Sequence, residues 1–232
     1  MQTESRTIRT LGILGAGRLG TVLTRLAVSA GYRVVVAASG DSAHIAPAMK
    51  AIGAIAASAA TVAAEADAVI LALPLARYRT LDAEALRGML VIDAMNYWWG
   101  SDGVRDDLSD PRTSTSELVQ QHLTGARVVK ALSHMGYQDL EDETRPQGAA
   151  ERKAIAVAGD DPADVAVVCA LVDDLGFDPV VAGPLSAGIM LEPGAEAFGA
   201  DVDATELREM LARFPTSQRG IVVARARGEA SS

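Results

Sequence analysis

The sequence predicts an α/β fold with a doubly wound, mostly parallel sheet and a smaller α/β extension at its C-terminal end. Short apolar runs alternate with segments of helical periodicity along most of the 232 residues. A glycine-rich turn joins the first apolar run to the first helical segment. Hydrophobic residues make up 49% of the chain, so both faces of a sheet can be covered. These features are typical of parallel strands joined by crossover helices.

The first apolar runs predict the strands of a larger N-terminal unit. These strands span residues 8–14, 32–38, 66–73, 89–95 and 126–132. Each run is continuous rather than alternating, which indicates a strand that is buried on both faces. Helical spacing predicts helices over residues 19–30, 42–53 and 116–123. Gly31 ends the first helix and Pro47 lies in the first turn of the second. Ser114 and Glu117 have the spacing of a capping box for the third.

The C-terminal part repeats the alternation on a smaller scale. Strands are predicted over residues 153–159 and 177–183, and a last helix over 204–214. Between the strands, Pro162 starts a helix behind a cap at Asp160 or Asp161, and Gly176 ends it.

The order of these elements predicts two units in one chain. We expect a larger unit over residues 8–133 and a smaller unit over 134–215 that packs on it. The polar ends, residues 1–7 and 227–232, are expected to be disordered.

Composition excludes several classes of function. The net charge of −9 argues against a nucleic-acid or anionic-membrane partner. Cys169 is the one cysteine, so no internal disulfide is possible, and its place on an apolar helix face predicts a core residue. No apolar stretch has the length of a signal peptide or of a membrane span, so we expect a soluble, cytoplasmic protein.

The glycine-rich turn has the pattern G-x-G-x-x-G. Its residues are Gly15, Ala16, Gly17, Arg18, Leu19 and Gly20. The turn follows a strand and opens a helix, which is the context in which the pattern indicates dinucleotide binding. The first glycine permits the tight turn, the second lets the backbone approach a pyrophosphate, and the third allows close helix packing. The larger unit is therefore predicted to be a dinucleotide-binding domain of the Rossmann type.

The end of the second strand favours NADP over NAD. An NAD site usually has an acidic residue here that binds the ribose 2′-hydroxyl. This chain has Ser39 and Gly40 instead, which leave room for a 2′-phosphate, although Asp41 lies nearby. Arg18 on the glycine turn is a candidate to reach that phosphate. The alternative for Ser39 is a helix cap without contact to any ligand.

Further candidates follow the other strands, because ligands of open α/β sheets bind at the carboxyl ends of the strands. These candidates are Leu73, Pro74, Leu75, Asp93, Asn96, His134 and Met135. Asn96 carries both a donor and an acceptor, which suits a carboxamide or a ribose. His134 is a candidate hydrogen-bond or proton donor. Structural roles remain open for Asp93, His134 and the nearby Lys130.

Several segments together resemble the NADP oxidoreductases that depend on the deazaflavin coenzyme F420. They are "GILGAGRLG", "VILALPL", "VIDAMN", "ARVVKAL", "AVAGDDPADVAVVCALVDDLGFDPVVAGPL" and "LEP", in this order over residues 8–200. The resemblance implies hydride exchange between NADP(H) and a deazaflavin, or a flavin-like acceptor, in a homodimer. It also implies that residues 73–75 lie over the ribose and nicotinamide of the cofactor, and that no metal takes part.

The chain departs from the family pattern in three places. Ser39-Gly40 stands where the family usually has Ser-Arg, and Tyr97 follows Asn96 where a proline is usual. "KALSH" replaces a "KAFN" stretch. The aromatic run Tyr97, Trp98 and Trp99 is predicted to form a stacking wall for a flat acceptor ring. A hydrophobic plug or a dimer contact is the alternative.

Three functions are compatible with the sequence. The first is an NADP-dependent oxidoreductase that acts on a deazaflavin or a flavin-like acceptor. The second is an NADPH-dependent reductase of a small carbonyl or imine compound, with His134 or Tyr137 as proton donor. The third is a sensor or scaffold protein that binds NADP without turnover.

Overall fold

An eight-stranded sheet runs through the computed structural model, which describes residues 8–228. The strands are β1 (Thr10–Leu14), β2 (Arg33–Ala37), β3 (Ile55–Ala56), β4 (Ala68–Leu71), β5 (Leu90–Asp93), β6 (Arg127–Lys130), β7 (Ala154–Gly159) and β8 (Asp178–Gly183). Their order in the sheet is β3-β2-β1-β4-β5-β6-β7-β8. All neighbouring strands are parallel except β6 and β7, which are antiparallel. The prediction of a mostly parallel α/β sheet is confirmed.

Helices connect the strands. They are α1 (Arg18–Ser29), α2 (Ala46–Ile52), α3 (Ala59–Glu65), α4 (Trp99–Asp102), α5 (Thr115–His122), α6 (Tyr137–Asp142), α7 (Pro162–Asp174), α8 (Ala204–Arg213) and α9 (Gln218–Arg227). Short 3-10 segments occur at Ser42–His44, Leu75–Thr80, Asp106–Leu108, Leu185–Leu191 and Phe214–Thr216. Among the described residues, no helix combines the length and the apolar character that crossing a membrane requires.

Two buried clusters lie on opposite faces of the sheet because successive strand residues point to opposite sides. Leu11, Ile13 and Ile92 belong to a cluster with residues of α1 and α7. Val69 and Val91 belong to the other, with residues of α3 and α5. This double burial explains why the strand sequences are continuously apolar.

The capping signals of the sequence hold in the structure. The Ser114 hydroxyl accepts from the Glu117 N–H, and the Glu117 carboxylate accepts from the Ser114 N–H. Asp161, rather than Asp160, caps α7. Gly176 follows that helix with a φ of +99°, a value that favours glycine.

Some elements were not predicted. The two-residue strand β3 is too short to show a pattern, and the helix α3 that follows it is a run of small residues. Helix α9 lies beyond the last predicted helix and includes Arg227, the first residue of the predicted C-terminal tail. The remaining predicted tail segments, 1–7 and 229–232, lie outside the described residues.

The C-terminal unit extends the same sheet. The strand β7 pairs with β6 through Val129 opposite Gly159 and Lys130 opposite Ala158. The cluster that contains Leu11 also contains Phe177. The buried core is therefore continuous across the predicted boundary at residue 133.

Candidate cofactor and acceptor site

The glycine turn lies at the carboxyl end of β1, beside the point where the strand order reverses between β1 and β4. Crevices at this position bind ligands in open α/β sheets. Among residues 8–228, no side chain caps the N-terminus of α1, and the first turn of this helix has no acidic residue. The helix therefore directs free N–H groups and a partial positive charge toward the turn.

The three glycines of the turn have different environments. A Cβ at Gly15 would approach the Ala72 oxygen to 2.2 Å, and one at Gly20 would approach the Gly15 oxygen to 1.8 Å. A Cβ at Gly17 would have no heavy atom within 4 Å. Gly15 and Gly20 are thus required by packing, whereas the space above Gly17 is open to a ligand.

A cleft of about 560 Å³ begins at this turn. It passes the end of β2, the start of α3 and the 3-10 segment Leu75–Thr80. Six of the predicted cofactor residues line it, namely Gly15, Ala16, Gly17, Ser39, Leu73 and Pro74. Arg18, Leu19, Gly20, Gly40 and Leu75 do not line it. Leu75 is fully buried in the core, so its side chain is not available to a ligand.

Arg18 contacts Tyr137 and does not line the cleft. Its guanidinium donates a hydrogen bond to the Tyr137 hydroxyl at 3.1 Å and lies 5.8 Å from the centre of that ring. The structure therefore does not bring Arg18 and Ser39 together. Asp41, not Ser39, caps the following 3-10 turn by accepting from the Ala43 N–H.

Asp93 is enclosed at the end of β5. Its carboxylate accepts hydrogen bonds from the Met95 N–H at 2.9 Å and from the Ser116 hydroxyl at 2.6 Å. The ammonium group of the fully buried Lys130 lies 3.5 Å away and donates to the Met95 carbonyl at 2.7 Å. The predicted contact of Asp93 with a cofactor is not supported, because these buried partners surround the carboxylate. Asp93 and Lys130 instead fix the loop after β5.

Asn96 and Ser133 form a polar pair at the carboxyl ends of β5 and β6. The Asn96 side-chain amide donates to the Ser133 carbonyl at 2.6 Å. Among the described residues, no group hydrogen-bonds to Asn96 Oδ1 or to Ser133 Oγ, although both atoms are buried. The preceding Leu132 has a φ of +60°, which is uncommon outside glycine and strained. Unpaired buried polar atoms beside a strained backbone are typical of a site completed by a ligand.

His134 is buried on the other side of this turn. Its Nε2 accepts a hydrogen bond from the Ala156 N–H at 3.0 Å, and its side chain is 1% exposed. Burial lowers the pKa of His134 to about 4. The lowered pKa and the burial of the ring both argue against His134 as a proton donor. Met135 is also buried, in the core cluster that contains Leu11, and has little surface for a substrate.

The aromatic run divides into one structural residue and two exposed ones. The Tyr97 hydroxyl donates to the Gly103 carbonyl and accepts from the Arg105 N–H, so it closes the loop that follows. Trp98 is 52% exposed and Trp99 is 70% exposed. The Trp98 ring stacks on Phe198, with centroids 6.4 Å apart and planes inclined at 27°.

The tryptophans adjoin the cleft through Asp102. Its buried carboxylate accepts from the Trp98 N–H at 2.8 Å and from the Ala76 N–H at 3.0 Å. Ala76 belongs to the 3-10 segment that borders the cleft. Asp102 therefore holds the tryptophan turn against the end of the cleft. The roles of Asp102, Ser133 and Phe198 were not predictable from the sequence, because they depend on contacts between distant segments.

Comparison with known proteins gives one family match. Residues 10–97 match the model of the family described as NADP oxidoreductase, coenzyme F420-dependent. The protein YjhV of Escherichia coli strain K12 is 40% identical over 82 residues, which are 35% of this chain. That match spans 58% of the length of YjhV.

Solved structures resemble the fold over most of the chain. The hypothetical protein SMa0349 from Sinorhizobium meliloti is 26% identical, with a TM-score of 0.71 over 83% of this chain and 94% of its own. A structure described as an F420-dependent NADP reductase from Arthrobacter sp. FB24 is 22% identical, with a TM-score of 0.67 over 96% of each chain. These similarities extend beyond the matched N-terminal segment and include the C-terminal extension of the sheet.

Proposed function

We propose that this chain transfers hydride between NADP(H) and a flat ring acceptor. The match of residues 10–97 to the family described as NADP oxidoreductase, coenzyme F420-dependent, supports this proposal. The observation that carries the proposal is the open space above Gly17 at the uncapped N-terminus of α1. This space suits a pyrophosphate, which helix N–H groups and the positive end of the helix stabilise. The adjoining cleft has room for the adenosine half of the cofactor.

The residues around this space are suited to hold the cofactor. Gly15, Ala16, Gly17 and Ser39 all line the cleft. The backbone of the three turn residues would face the pyrophosphate of a bound cofactor, and Ser39 would face its ribose. Leu73 and Pro74 supply an apolar wall along the middle of the cleft. When bound, NADPH supplies the hydride, and the protein supplies position and the exclusion of water.

The acceptor is proposed to lie between the tryptophan turn and the polar pair at the ends of β5 and β6. Trp98 and Phe198 give a stacked aromatic surface for a flat ring, such as a deazaflavin or a flavin. Asn96 Oδ1 and Ser133 Oγ are free to bond the amide groups at the edge of such a ring or of the nicotinamide. Reduction of the acceptor ring takes one hydride from NADPH and one proton, and because solvent supplies that proton, no side chain is required as its donor.

The activity test mixes the protein, NADPH and oxidised deazaflavin and follows the loss of deazaflavin absorbance. A Trp98→Ala variant is expected to raise the acceptor KM about 5- to 150-fold, because stacking on an aromatic ring contributes about 1–3 kcal/mol per ring. NADPH affinity is expected to stay nearly unchanged. Trp99→Ala is tested in parallel, since Trp99 is the more exposed ring and a candidate contact of the proposed homodimer.

The outcomes separate the three functions. Turnover of carbonyl or imine compounds, with no turnover of deazaflavin, would favour a reductase of small carbonyl or imine compounds. NADPH binding without any turnover would favour a sensor or scaffold protein. Loss of dimerisation in either tryptophan variant, with unchanged acceptor kinetics, would place that ring at a subunit contact.

The cofactor site has its own matched pair of variants. Gly17→Ala is expected to fold normally, because no atom lies within 4 Å of the new methyl group, and to lose most NADPH affinity. Gly20→Ala is expected to destabilise the fold, because its methyl group would overlap the Gly15 carbonyl. Calorimetric titration measures affinity and thermal unfolding measures stability. Unchanged NADPH affinity in Gly17→Ala would contradict the proposed cofactor site.

A further inference from the structure

The cleft contains a charged side chain that the G-x-G-x-x-G pattern does not account for. Arg77 lies in the 3-10 segment Leu75–Thr80, and its side chain lines the same cleft as Ser39. Of the described residues that line the cleft, Arg77 is the one basic residue. It is exposed, so its guanidinium is accessible to a ligand.

This guanidinium has no protein partner among residues 8–228. No hydrogen bond or ion pair of the Arg77 side chain is formed with any described residue. The neighbouring Arg79 is engaged, since it donates to the Tyr78 hydroxyl at 2.8 Å and pairs with Asp107 at 3.4 Å. Arg18 is engaged with Tyr137. Within the part of the chain that the structure describes, Arg77 is therefore the cation of this region that remains available to bind an anion in the cleft.

The acidic residue of the cleft does not neutralise Arg77 by a direct contact. Asp82 lines the cleft, but its Oδ1 accepts from the Glu84 and Ala85 N–H groups at 3.0 and 3.1 Å. Asp82 therefore forms no ion pair with Arg77, since no carboxylate oxygen of Asp82 lies within 4 Å of a guanidinium nitrogen of Arg77.

A phosphate group in this part of the cleft requires a cation. A phosphomonoester carries about −1.5 to −2 charges near pH 7. Ser39 supplies a hydroxyl, and Gly40 supplies no side chain at the position where the resembled family usually has arginine. An arginine binds phosphate through a planar fork of N–H donors, which gives both charge and direction.

We infer that Arg77, from the 3-10 segment Leu75–Thr80, recognises the 2′-phosphate of NADP and takes the place of the arginine that is absent after Ser39. The inference rests on the proposed function, because it concerns the same cofactor site. It assigns coenzyme specificity to the segment after β4 rather than to the loop after β2.

The test measures the affinities of NADPH and NADH by calorimetric titration of the full chain. Arg77→Gln is expected to weaken NADPH binding about 10- to 100-fold, the equivalent of one charge-assisted hydrogen-bond contact, and to leave NADH affinity unchanged. Arg77→Lys keeps the positive charge but lacks the planar fork of N–H donors. Its NADPH affinity is expected to lie between those of the wild type and Arg77→Gln. Arg79→Gln is the matched control, since it removes a guanidinium two residues away that does not line the cleft.

The results distinguish failure of the inference from failure of the proposed function. Equal losses of NADPH and NADH in Arg77→Gln would overturn the inference, because they would place Arg77 on the adenine or ribose that both coenzymes share. No loss in Arg77→Gln, or an equal loss in Arg79→Gln, would also overturn it. A wild-type protein that binds neither coenzyme would contradict the proposed function itself.

Titration with 2′,5′-ADP and 5′-ADP isolates the phosphate from the nicotinamide side of the site. The wild type is expected to prefer 2′,5′-ADP, and Arg77→Gln is expected to lose that preference. Retention of the full preference in the variant would overturn the inference.

Discussion

Burial changes what the imidazole of His134 can do. Its Nε2 is occupied by the Ala156 N–H, and burial lowers its pKa to about 4 from an ordinary value of 6.5. The folded state therefore binds its proton less readily than the unfolded state does. The stability that this neutral histidine contributes is present above about pH 6.5 and is lost progressively as the pH falls toward 4.

This titration predicts a measurable loss of stability in weak acid. Between pH 7 and pH 5, His134 is expected to lower the free energy of unfolding by roughly 2 kcal/mol. In His134→Gln, the difference in the free energy of unfolding between these two pH values should shrink by that amount. Urea unfolding at both pH values measures it. His44→Gln is the control, because His44 is exposed, and it should keep the wild-type pH dependence.

For single residues, the sequence predicted motifs such as the glycine turn better than the burial and contacts of individual side chains. The glycine turn is identifiable because each glycine of its pattern has a physical reason, and the structure shows packing limits at Gly15 and Gly20 and open space at Gly17. The burial of His134 was not predictable, because its partner Ala156 belongs to a strand that is added later in the chain. The same holds for Asp93, whose partner Ser116 lies on α5.

Among the elements, α4 is a single turn whose position depends on one carboxylate. Asp102, its last residue, bonds the N–H groups of Trp98 and Ala76 and so connects the tryptophan turn to the segment that borders the cleft. Asp102→Ala would leave two N–H groups without their acceptor, at a cost of about 1–3 kcal/mol for each buried group. We therefore expect faster hydrogen exchange at both amides and a higher acceptor KM.

The neighbouring Asp106 provides the control for this prediction. Asp106 is exposed, and its side chain forms no hydrogen bond or ion pair with the described residues. Asp106→Ala should therefore leave exchange at Trp98 and Ala76 unchanged. If Asp102→Ala exchanged at the wild-type rate, the carboxylate would not be what holds the turn.

Strands and helices were predicted where their sequence pattern extends over several residues. All the strands of four residues or more were predicted from their apolar runs, and each observed strand is shorter than or equal to its run. Some runs exceed their strands because apolar residues continue into buried loops, as Ala94 and Met95 do after β5 and Ala131 and Leu132 do after β6. The elements α3 and α4 were missed, since a helix of small residues and a one-turn helix have no distinct polar face.

For the whole molecule, the shared core implies that the two predicted units unfold together. Phe177, in the smaller unit, is fully buried in the cluster that contains Leu11 and Ile13 of β1. Phe177→Ala is expected to lower the free energy of unfolding of the entire chain by about 3–5 kcal/mol. Scanning calorimetry should show one transition whose calorimetric and van't Hoff enthalpies agree. Two transitions, with only one shifted by the variant, would show that residues 8–133 fold independently.

The arrangement of the sheet was predictable only in part. Alternating strands and helices predict a parallel sheet, and the glycine turn predicts where its order reverses. The antiparallel pairing of β6 with β7 was not predicted, because no sequence signal separates parallel from antiparallel pairing after a connection this long. That pairing is also what places Ala156 beside His134.

The two tryptophans have a practical consequence. They are the only ones in the 232-residue sequence and they are adjacent. Both are largely exposed in the turn that follows β5. The intrinsic fluorescence of the protein therefore originates almost entirely from a single surface turn and reports little on the core. An acceptor ring that stacks on this turn would quench the emission directly. The native chain thus contains its own optical probe for occupancy of the proposed acceptor site, without any attached label.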